Sequence, residues 1–548
     1  MSSQRFAVIG LDGANLEFIE RGAEAGRLPA LARVLKEGAR APLESIHSIN
    51  TVPAWKVMTT GKNPGKLGCF DFVSKRPDSY EQVLFNATLV SDKELWDYTV
   101  DTGGRVGVFN VPGTYPPRPV NGVMVSGLMT PSAEVEFTYP ADFREEVLRL
   151  AGGTYEPDIT RPASGDPGEE LDIMRRVTDV HARTGAHIID SLQPDFFMGV
   201  LTVTDKVQHH YWHVTDPEHP GYDPALAAQL GDPIMEMYAL ADSVVGDWLE
   251  RLGPEVDVLI VSDHGARSMG GMFHVNQWLY EEGLLFPKDE ARRQLRRRGV
   301  DQIYNLMPEW VKRAARPFTQ QALGHHVARS VDAVFDMRRT RAYMLSSGQL
   351  YFNVKGRDPQ GIVEPGAEYD ALAARIRDGL SRVRDPLTDR RLEFEIWQRD
   401  DIWHGPYLDR APDMLIQMSD PFYDKAANLT DHGSPFSFYG QHYTDFVGVH
   451  RRMGALLAIG PQIQPGTRLD GANILDVAPT ALHVMGLPIP RDMDGQVLTG
   501  LLRPDSESAR RAPAYQDESM LAGEKDEGFS EDEAAVVAQR LKDLGYFE

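Results

Sequence analysis

Short apolar runs alternate with longer amphipathic stretches over the first half of the chain. The apolar runs predict buried strands at 6–11, 105–111, 122–126, 196–203 and 256–261. The amphipathic stretches between them, clearest at 170–192 and 224–252, have the apolar spacing of helices. Strands and helices that alternate in this way form a mostly parallel sheet with helices on both faces. The pattern therefore predicts an α/β fold.

The pattern changes after residue 286. Residues 287–341 have a helical and locally basic character, which predicts a helical cap or insertion. Strand-like runs return at 349–354, 392–397, 413–418 and 455–459, and 474–485 reads as a helix that closes the core. We therefore expect residues 1–286 and 342–504 to form one catalytic core. Residues 505–548 form an acidic tail in which a short helix is expected at 531–544.

Composition narrows the classes of function. The chain has 548 residues and a formal charge of -23. Duplex nucleic acid is not an expected partner, because its binding requires a basic face. The sequence has no apolar run long enough for a transmembrane helix. The single cysteine, Cys69, and the lack of a secretion signal favour the cytoplasm. The sequence leaves open whether the chain forms a homo-oligomer.

Three of the predicted strands are each followed by a carboxylate. Asp12 follows the first strand, Asp205 follows the strand at 196–203, and Asp263 follows the strand at 256–261. Because open parallel sheets usually bind ligands at the carboxyl ends of their strands, we expect the three carboxylates to share one site. They would repel one another without a bound cation. The sequence therefore predicts a metal site at this edge of the sheet.

Histidines accompany two of these carboxylates. Asp205 and His209 are spaced i, i+4, so both project from one face of a helix and can bind one ion. The pair His209 and His213 has the same spacing and is the alternative, but Asp205 stands at the strand end. Asp263 and His264 are adjacent, and at the end of a strand they can point toward two ions about 4 Å apart.

A threonine precedes a predicted helix start. In Asn50-Thr51-Val52-Pro53, the proline fits the first turn of a helix and Thr51 lies at or just before the cap. A hydroxyl there faces free N–H groups and the positive end of the helix dipole, which favours binding of a phosphoryl anion. An ordinary threonine cap is the alternative. We expect substrate contacts from Asn50, Lys56 and Asn110, although Lys56 could also be a solvated lysine on the helix surface.

Five motifs in this order resemble the alkaline phosphatase superfamily. The resemblance covers most of residues 5–500, and it is strongest to the type I phosphodiesterase/nucleotide pyrophosphatase branch and to related predicted phosphohydrolases and phosphomutases. The motifs are Gly10-Leu11-Asp12-Gly13, Thr51-Val52-Pro53-Ala54-Trp55 with Thr60-Gly61-Lys62-Asn63-Pro64-Gly65, Thr204-Asp205-Lys206-Val207-Gln208-His209, Ser262-Asp263-His264-Gly265, and His450-Arg451-Arg452-Met453-Gly454 followed by Gly460-Pro461. The resemblance implies an alkaline phosphatase-like α/β fold.

The resemblance also implies a ligand set for two divalent ions. One ion would bind Asp205, His209 and His450. The other would bind Asp12, Asp263 and His264, with Thr51 bridging the two ions as the nucleophile. His432 and His442 compete with His450 for the third histidine position, and His450 is preferred because a strand-like run ending in Gly-Pro follows it, as in relatives. Zn is preferred to Mn, although Asp and His ligands accept either metal.

The implied activity is metal-dependent hydrolysis of a phosphate ester, either a diester or a monoester, through a phospho-threonine intermediate. The substrate would be a small-molecule or lipid-like phosphate ester. A metal-dependent phosphomutase of the phosphoglycerate mutase type is the alternative within enzymes, and a non-catalytic binding protein on the same fold is a third interpretation. Leu67-Gly68 stands where relatives have His-Gly, and the asparagine that follows there in phosphodiesterases is absent, which disfavours nucleotide pyrophosphatase activity.

Overall fold

Strands and helices alternate along the chain in the computed structural model, which describes residues 4–162, 164–288, 330–443, 446–517, 520–521 and 528–543. The strands are β1 (Phe6–Leu11), β2 (Ala39–Glu44), β3 (Val73–Lys75), β4 (Gln82–Leu84), β5 (Val106–Phe109), β6 (Gly122–Val125), β7 (Thr138–Tyr139), β8 (Phe196–Leu201), β9 (Asp257–Val261), β10 (Gly265–Ser268), β11 (Gly271–His274), β12 (Ala342–Met344), β13 (Gln349–Phe352), β14 (Phe394–Gln398), β15 (Met414–Met418), β16 (Tyr423–Ala426), β17 (Phe436–Phe438), β18 (Gly448–Arg451), β19 (Met453–Ile459), β20 (Thr467–Arg468), β21 (Ala472–Asn473), β22 (Ile489–Pro490) and β23 (Tyr515–Gln516).

The α-helices in the same residues are Leu16–Glu24, Pro29–Glu37, Thr51–Thr60, Pro64–Leu67, Leu95–Asp101, Phe143–Leu150, Pro167–Leu192, Val203–Thr215, Pro224–Leu230, Pro233–Leu252, Val275–Glu281, Val331–Val334, Ala367–Leu380, Arg399–Ile402, Val477–Met485, Glu507–Arg510 and Glu531–Asp543. Short 3-10 helices span Ala87–Leu89, Leu408–Arg410, Ile474–Asp476 and Thr499–Leu501. No helix in the described part of the chain is both long and apolar enough to cross a membrane.

Contacts divide the chain into two compact units. The main unit comprises residues 1–72, 85–268 and 446–527, and the second unit comprises residues 73–84, 269–445 and 528–548. This grouping does not follow the boundaries expected from the sequence, because residues 342–445 fall in the second unit together with residues 73–84 and 269–286. The expected helical insertion at 287–341 lies largely at 289–329, outside the described residues.

The main unit is built on a ten-stranded sheet with the order β20-β2-β19-β9-β1-β8-β5-β6-β7, in which β21 also pairs with β2. Strands β9, β1, β8, β5 and β6 form a run of parallel neighbours. Strand β19 runs antiparallel to its neighbours β2 and β9, and β7 runs antiparallel to β6. The mostly parallel sheet predicted from the sequence is therefore confirmed.

Helices cover both faces of this sheet. On one face, Ile9 belongs to a buried cluster that includes Trp248 of the helix Pro233–Leu252. The indole ring of Trp248 lies edge-on to Phe197 of β8, with ring centroids 5.4 Å apart. Gly10 points to the opposite face, where it lies against Trp55 of the helix Thr51–Thr60. Alternate residues of β1 thus pack against different helix layers, as a fully buried strand requires.

The predicted helix at 224–252 is wrong in one respect, because the structure has two helices there. Gly231 has a φ of 73°, which ends the first helix in a conformation that few other residues adopt. Asp232 then caps the second helix by accepting a hydrogen bond from the backbone N–H of Met235, at 3.1 Å. Pro233 occupies the first helical position, where it has no N–H to satisfy.

The described part of the second unit contains three sheets, of which the pair β3 and β4 is the smallest. The predicted strands at 349–354, 392–397 and 413–418 correspond to β13, β14 and β15, which join β12 in an antiparallel sheet. Strands β16, β11 and β17 form a second, three-stranded sheet. Tyr343, Phe352 and Ile376 lie in a hydrophobic cluster of this unit. These strands therefore have a core of their own, which explains why they do not extend the main sheet.

Candidate metal centre

Three buried carboxylates follow three neighbouring strands of the main sheet. Strand β1 lies between β9 and β8, so Asp12 is the central member of the set. Asp263 follows β9, and Asp205 lies in the first turn of the helix Val203–Thr215 that follows β8. None of the three residues is more than 1% exposed. The predicted convergence of these carboxylates at one edge of the sheet is what the structure shows.

His209 lies one turn after Asp205 on the same helix. Its Nε2 atom is 3.3 Å from Asp205 Oδ1, as the i, i+4 spacing predicted. On the other side of the ring, Nδ1 lies 2.9 Å from the carbonyl oxygen of Gly448. Because a carbonyl oxygen only accepts hydrogen bonds, Nδ1 carries a proton and donates it. This bond turns Nε2 toward the carboxylate.

His450 reaches the same carboxylate from a distant part of the sequence. It lies on β18, which pairs antiparallel with β10 so that His450 is opposite Ala266. Its Nε2 atom is 3.4 Å from Asp205 Oδ1, and its Nδ1 atom is 3.2 Å from the carbonyl oxygen of Ile49. The two competing histidines belong to the second unit, where the rings of His432 and His442 stack on each other at 4.0 Å.

His264 connects the remaining carboxylates to Thr51. Its Nδ1 atom lies 3.1 Å from the carbonyl oxygen of Gly265. Its Nε2 atom is 3.2 Å from Asp263 Oδ2, 3.7 Å from Asp12 Oδ1 and 3.3 Å from Thr51 Oγ1. The three histidines thus share one arrangement, in which Nδ1 contacts a backbone carbonyl and Nε2 faces carboxylates. Histidines that bind metals commonly have such a carbonyl partner for the second ring nitrogen.

Thr51 is the first residue of the helix Thr51–Thr60, directly after the N-cap Asn50. The side chain of Asn50 makes no capping bond and donates instead to the carboxylate of Asp71. Thr51 is completely buried. Its hydroxyl therefore lies at the positive end of the helix dipole and within hydrogen-bonding distance of His264.

The charges at this site are unfavourable without a cation. Burial and the neighbouring Asp205 raise the pKa of Asp12 well above its usual value. Burial, followed by Asp12, raises the pKa of Asp263 in the same way. Although burial opposes it, the contact with His209 holds the pKa of Asp205 well below the usual value. Each additional negative charge in this cluster therefore raises the free energy of the folded protein. A bound divalent ion would offset this cost.

The histidines fit a cation as well. Burial lowers the pKa of His264 and His450, which favours their neutral forms. The Nε2 atoms of His209 and His450 are only 3.0 Å apart, so the two rings must share either an added proton or a cation. Asp12 Oδ1 and Asp263 Oδ2 also have no hydrogen-bond partner among the described residues. Buried oxygens of this kind need a donor or a metal ion.

Two groups of side chains in the described residues have ligand atoms close enough to share an ion. The first is Asp205, His209 and His450, as the sequence analysis expected, and the second is Asp12, Asp205 and His264. Within each group the ligand atoms lie within 4.8 Å of one another. Asp263 was expected in the second group. It is not one of the three members, but its carboxylate contacts His264, which is a member. Asp205 therefore contributes to both groups.

Comparisons with known proteins identify the family of this chain. A sequence profile described as type I phosphodiesterase/nucleotide pyrophosphatase matches residues 6–435. The chain belongs to this family, which is part of the alkaline phosphatase superfamily. A solved structure of human ectonucleotide pyrophosphatase/phosphodiesterase 5 is similar, with 12% sequence identity, 88% of this chain and 95% of that chain covered, and a TM-score of 0.48. A search of curated proteins found no match.

Members of the type I phosphodiesterase family are enzymes that hydrolyse phosphoester bonds. The reaction class of this chain is therefore phosphoester hydrolysis. The comparison does not support the phosphomutase alternative. An enzymatic family also argues against a non-catalytic binding protein. The match includes Asp12, Thr51, Asp205 and the Asp263-His264 pair, whereas His450 lies beyond its end at residue 435.

The three residues expected to bind substrate have structural partners. Lys56 is 2% exposed, and its ammonium group forms an ion pair with Glu94 at 2.9 Å. The amide of Asn110 donates to the carbonyl oxygen of Val200 at 2.9 Å. Asn50 donates to Asp71, as described above. These contacts hold the three side chains against neighbouring parts of the protein. The sequence did not indicate this structural role.

Sequence reasoning missed the residues that hold the carboxylates and their loops. The indole of Trp55 donates to Asp12 Oδ2 at 3.0 Å. Thr204 donates to the backbone carbonyl of Asp12 at 2.6 Å, and Gln208 donates to the carbonyl of Gly13 at 2.8 Å. The ammonium group of Lys206 lies 3.7 Å from Asp205 Oδ2. Each of these four residues lies close in sequence to a predicted site residue, which was the available signal.

Proposed function

We propose that this chain hydrolyses phosphate esters with Thr51 as the nucleophile and with two divalent ions, preferably Zn. Asp205, His209 and His450 would hold one ion, and Asp12, Asp263 and His264 would hold the other. The observation that carries the proposal is the position of the Thr51 hydroxyl, which lies 3.3 Å from His264 Nε2 at the start of a buried helix. Near this hydroxyl, three carboxylates and three imidazoles form two adjoining groups of side chains, and carboxylates with imidazoles are the donor set for Zn or Mn.

The chemistry divides between the ions and the protein. Bound ions would lower the pKa of the Thr51 hydroxyl and neutralise the phosphoryl oxygens. The helix Thr51–Thr60 directs its dipole toward the phosphoryl group and so favours the negative charge that reacts there. Thr51 Oγ1 gives up its proton and attacks phosphorus, the bond from phosphorus to the leaving oxygen breaks, and the leaving alkoxide takes up a proton to become the alcohol. The oxygen of a water molecule then bonds to phosphorus, the bond between Thr51 Oγ1 and phosphorus breaks, a proton of that water returns to Thr51 Oγ1, and phosphate or a monoester is released.

The test compares Thr51→Ala with Thr51→Ser, using a chromogenic phosphodiester and a chromogenic phosphomonoester. Thr51→Ala should lower kcat by more than about 10³-fold while it retains the bound ions, because it removes only the nucleophile. Thr51→Ser should keep partial activity. Metal content is measured on each purified variant, and mass spectrometry of rapidly quenched enzyme should find phosphate on Thr51.

The stereochemical outcome at phosphorus separates two mechanisms. Two displacements at phosphorus give net retention of configuration, whereas direct attack by water gives inversion. Inversion with a chiral phosphorothioate substrate would show that water attacks directly and that Thr51 is not the nucleophile. Full activity of the Thr51→Ala protein would lead to the same conclusion.

A further inference from the structure

The indole of Trp55 lies against one of the proposed metal ligands. Its Nε1–H donates to Asp12 Oδ2 at 3.0 Å. Trp55 is completely buried and Asp12 is 1% exposed, so water does not compete for this bond. The other oxygen, Asp12 Oδ1, has no hydrogen-bond partner among the described residues and lies 3.7 Å from His264 Nε2. The indole thus fixes one carboxylate oxygen and leaves the other facing the ligand group.

The backbone places Trp55 so that it connects the nucleophile with this carboxylate. Thr51 and Trp55 are separated by one helical turn, so their side chains lie on the same face of the helix. Gly10 and Asp12 are two residues apart at the end of β1, where alternate residues share a face. A Cβ atom at Gly10 would lie 2.4 Å from Cη2 of Trp55. The ring therefore reaches this position because residue 10 has no side chain.

We propose that Trp55 is a positioning residue that orients the Asp12 carboxylate for a divalent ion. The proposal rests on the proposed function, since it takes Asp12 as a metal ligand. Hydrogen bonds to a ligand from residues behind it fix the direction of its lone pairs, and their loss commonly weakens metal binding. The same indole packs between β1 and the helix that carries Thr51. Its position thus sets the carboxylate and the nucleophile relative to each other.

The test is Trp55→Phe, with Trp248→Phe as the matched control. Trp248 is also completely buried, and its indole N–H donates to a backbone carbonyl, that of Ala182, at 3.1 Å. Both substitutions remove one buried indole N–H and the same volume, but Trp248 belongs to neither ligand group and lies in the core on the other face of the sheet. The affinity of each ion-free protein for Zn²⁺ and Mn²⁺ is measured by competition with a chromogenic chelator.

Trp55→Phe should weaken the binding of one ion by about 10–100-fold, whereas Trp248→Phe should change it by less than about twofold. Both variants should lose similar thermal stability. Excess ion should restore most of the kcat of Trp55→Phe, because the carboxylate itself is still present. If Trp55→Phe does not fold, the isosteric analogue 3-benzothienylalanine is placed at position 55, since it removes the N–H and keeps the ring.

The outcomes distinguish the two proposals. If the wild-type protein binds no divalent ion, the proposed function fails. If the wild-type protein binds two ions and Trp55→Phe or the benzothienyl protein binds both with wild-type affinity, the positioning role of Trp55 is rejected and the proposed function stands. An equal loss of affinity in Trp55→Phe and Trp248→Phe would also reject it, because the loss would then reflect general destabilisation.

Discussion

Replacing Asp12 by asparagine should have opposite effects on the ion-free and the ion-loaded protein. The ligand atoms of Asp12 and Asp205 lie within 4.8 Å of each other in a buried site. Two unit charges at that separation repel by about 3.5 kcal/mol when the effective dielectric constant is about 20. An asparagine side chain would remove this repulsion, while its amide oxygen could still accept the bond from Trp55. The ion-free protein should therefore gain stability.

The expected gain is smaller than the full repulsion, because ionised Asp12 is also attracted by Lys206, and it depends on pH, because Asp12 can take up a proton instead. Its raised pKa means that the folded state binds this proton more tightly than the unfolded state does. We expect Asp12→Asn to stabilise the ion-free protein by about 1–3 kcal/mol at a pH above the raised pKa. As the pH falls through that pKa toward the ordinary carboxyl range near 4, Asp12 becomes neutral and the advantage of asparagine should disappear.

Bound ions should reverse the order of stability. A ligand that binds only the folded state stabilises it by about 4 kcal/mol at 1,000 times its dissociation constant. The wild-type protein should receive this stabilisation at both sites, whereas Asp12→Asn should lose most of it at one. Thermal unfolding of both proteins, after treatment with EDTA and again with excess Zn²⁺ or Mn²⁺, measures the two differences. The pH series is run on the EDTA-treated samples.

Asp242→Asn is the control for the loss of a buried carboxylate. Asp242 accepts hydrogen bonds from the backbone N–H groups of Ala30 and Leu31, and burial raises its pKa. Since its partners are backbone donors, asparagine there should not stabilise the ion-free protein, and the response to ions should remain that of the wild type. The electrostatic reasoning is refuted if Asp12→Asn destabilises the ion-free protein as much as the loaded one.

Three further predictions concern residues around the site. Lys56→Met should lower the free energy of unfolding by about 1–2 kcal/mol in denaturant titrations, because it breaks the buried ion pair with Glu94, which keeps Arg118 as a partner. A changed KM for a small ester at unchanged kcat would instead support the substrate contact expected from the sequence. Cys69, whose thiol pKa is raised by burial, should react with a thiol reagent only after unfolding, and rapid labelling of the native protein would contradict its burial. Gly448→Ala should lower the stability measured by thermal unfolding by about 1–3 kcal/mol, because its Cβ would lie 2.1 Å from the carbonyl oxygen of Gln208. The variant should also bind ions more weakly, because Gly448 supplies the carbonyl oxygen that contacts His209. Unaltered affinity would show that His209 does not depend on the contact with Gly448.

The sequence predicted the parts of the site that follow from local pattern. The apolar run at 6–11 coincides with β1, and the run at 256–261 differs from β9 by one residue, so the positions of Asp12 and Asp263 at strand ends could be inferred. The spacing of Asp205 and His209 was sufficient to place both on one helix face. Parallel strands bring their carboxyl ends to one edge of the sheet, which is why three separate motifs predicted one cluster.

Other features depend on pairings between distant segments. The pairing of β10 with β18 brings His450 opposite Ala266, and nothing in either segment alone specifies that register. The ion pair of Lys56 with Glu94 joins side chains 38 residues apart, so a helix-surface lysine and a buried one could not be distinguished beforehand. Residues 342–418 have the strand pattern of the main sheet, but the pairing of β12, β13, β14 and β15 with one another places them in a separate sheet.

The histidine orientations show why the local motifs predicted the ligands but not their geometry. The Nδ1 atoms of His209, His264 and His450 contact the backbone carbonyl oxygens of Gly448, Gly265 and Ile49. A carbonyl is present at every residue, so the sequence carries no sign of which ones serve this purpose. Because the acceptors belong to the backbone, the fold itself directs the Nε2 lone pairs toward the site. Metal binding by this chain should therefore require little rearrangement of the histidines, and the main cost to relieve is the repulsion among the three carboxylates.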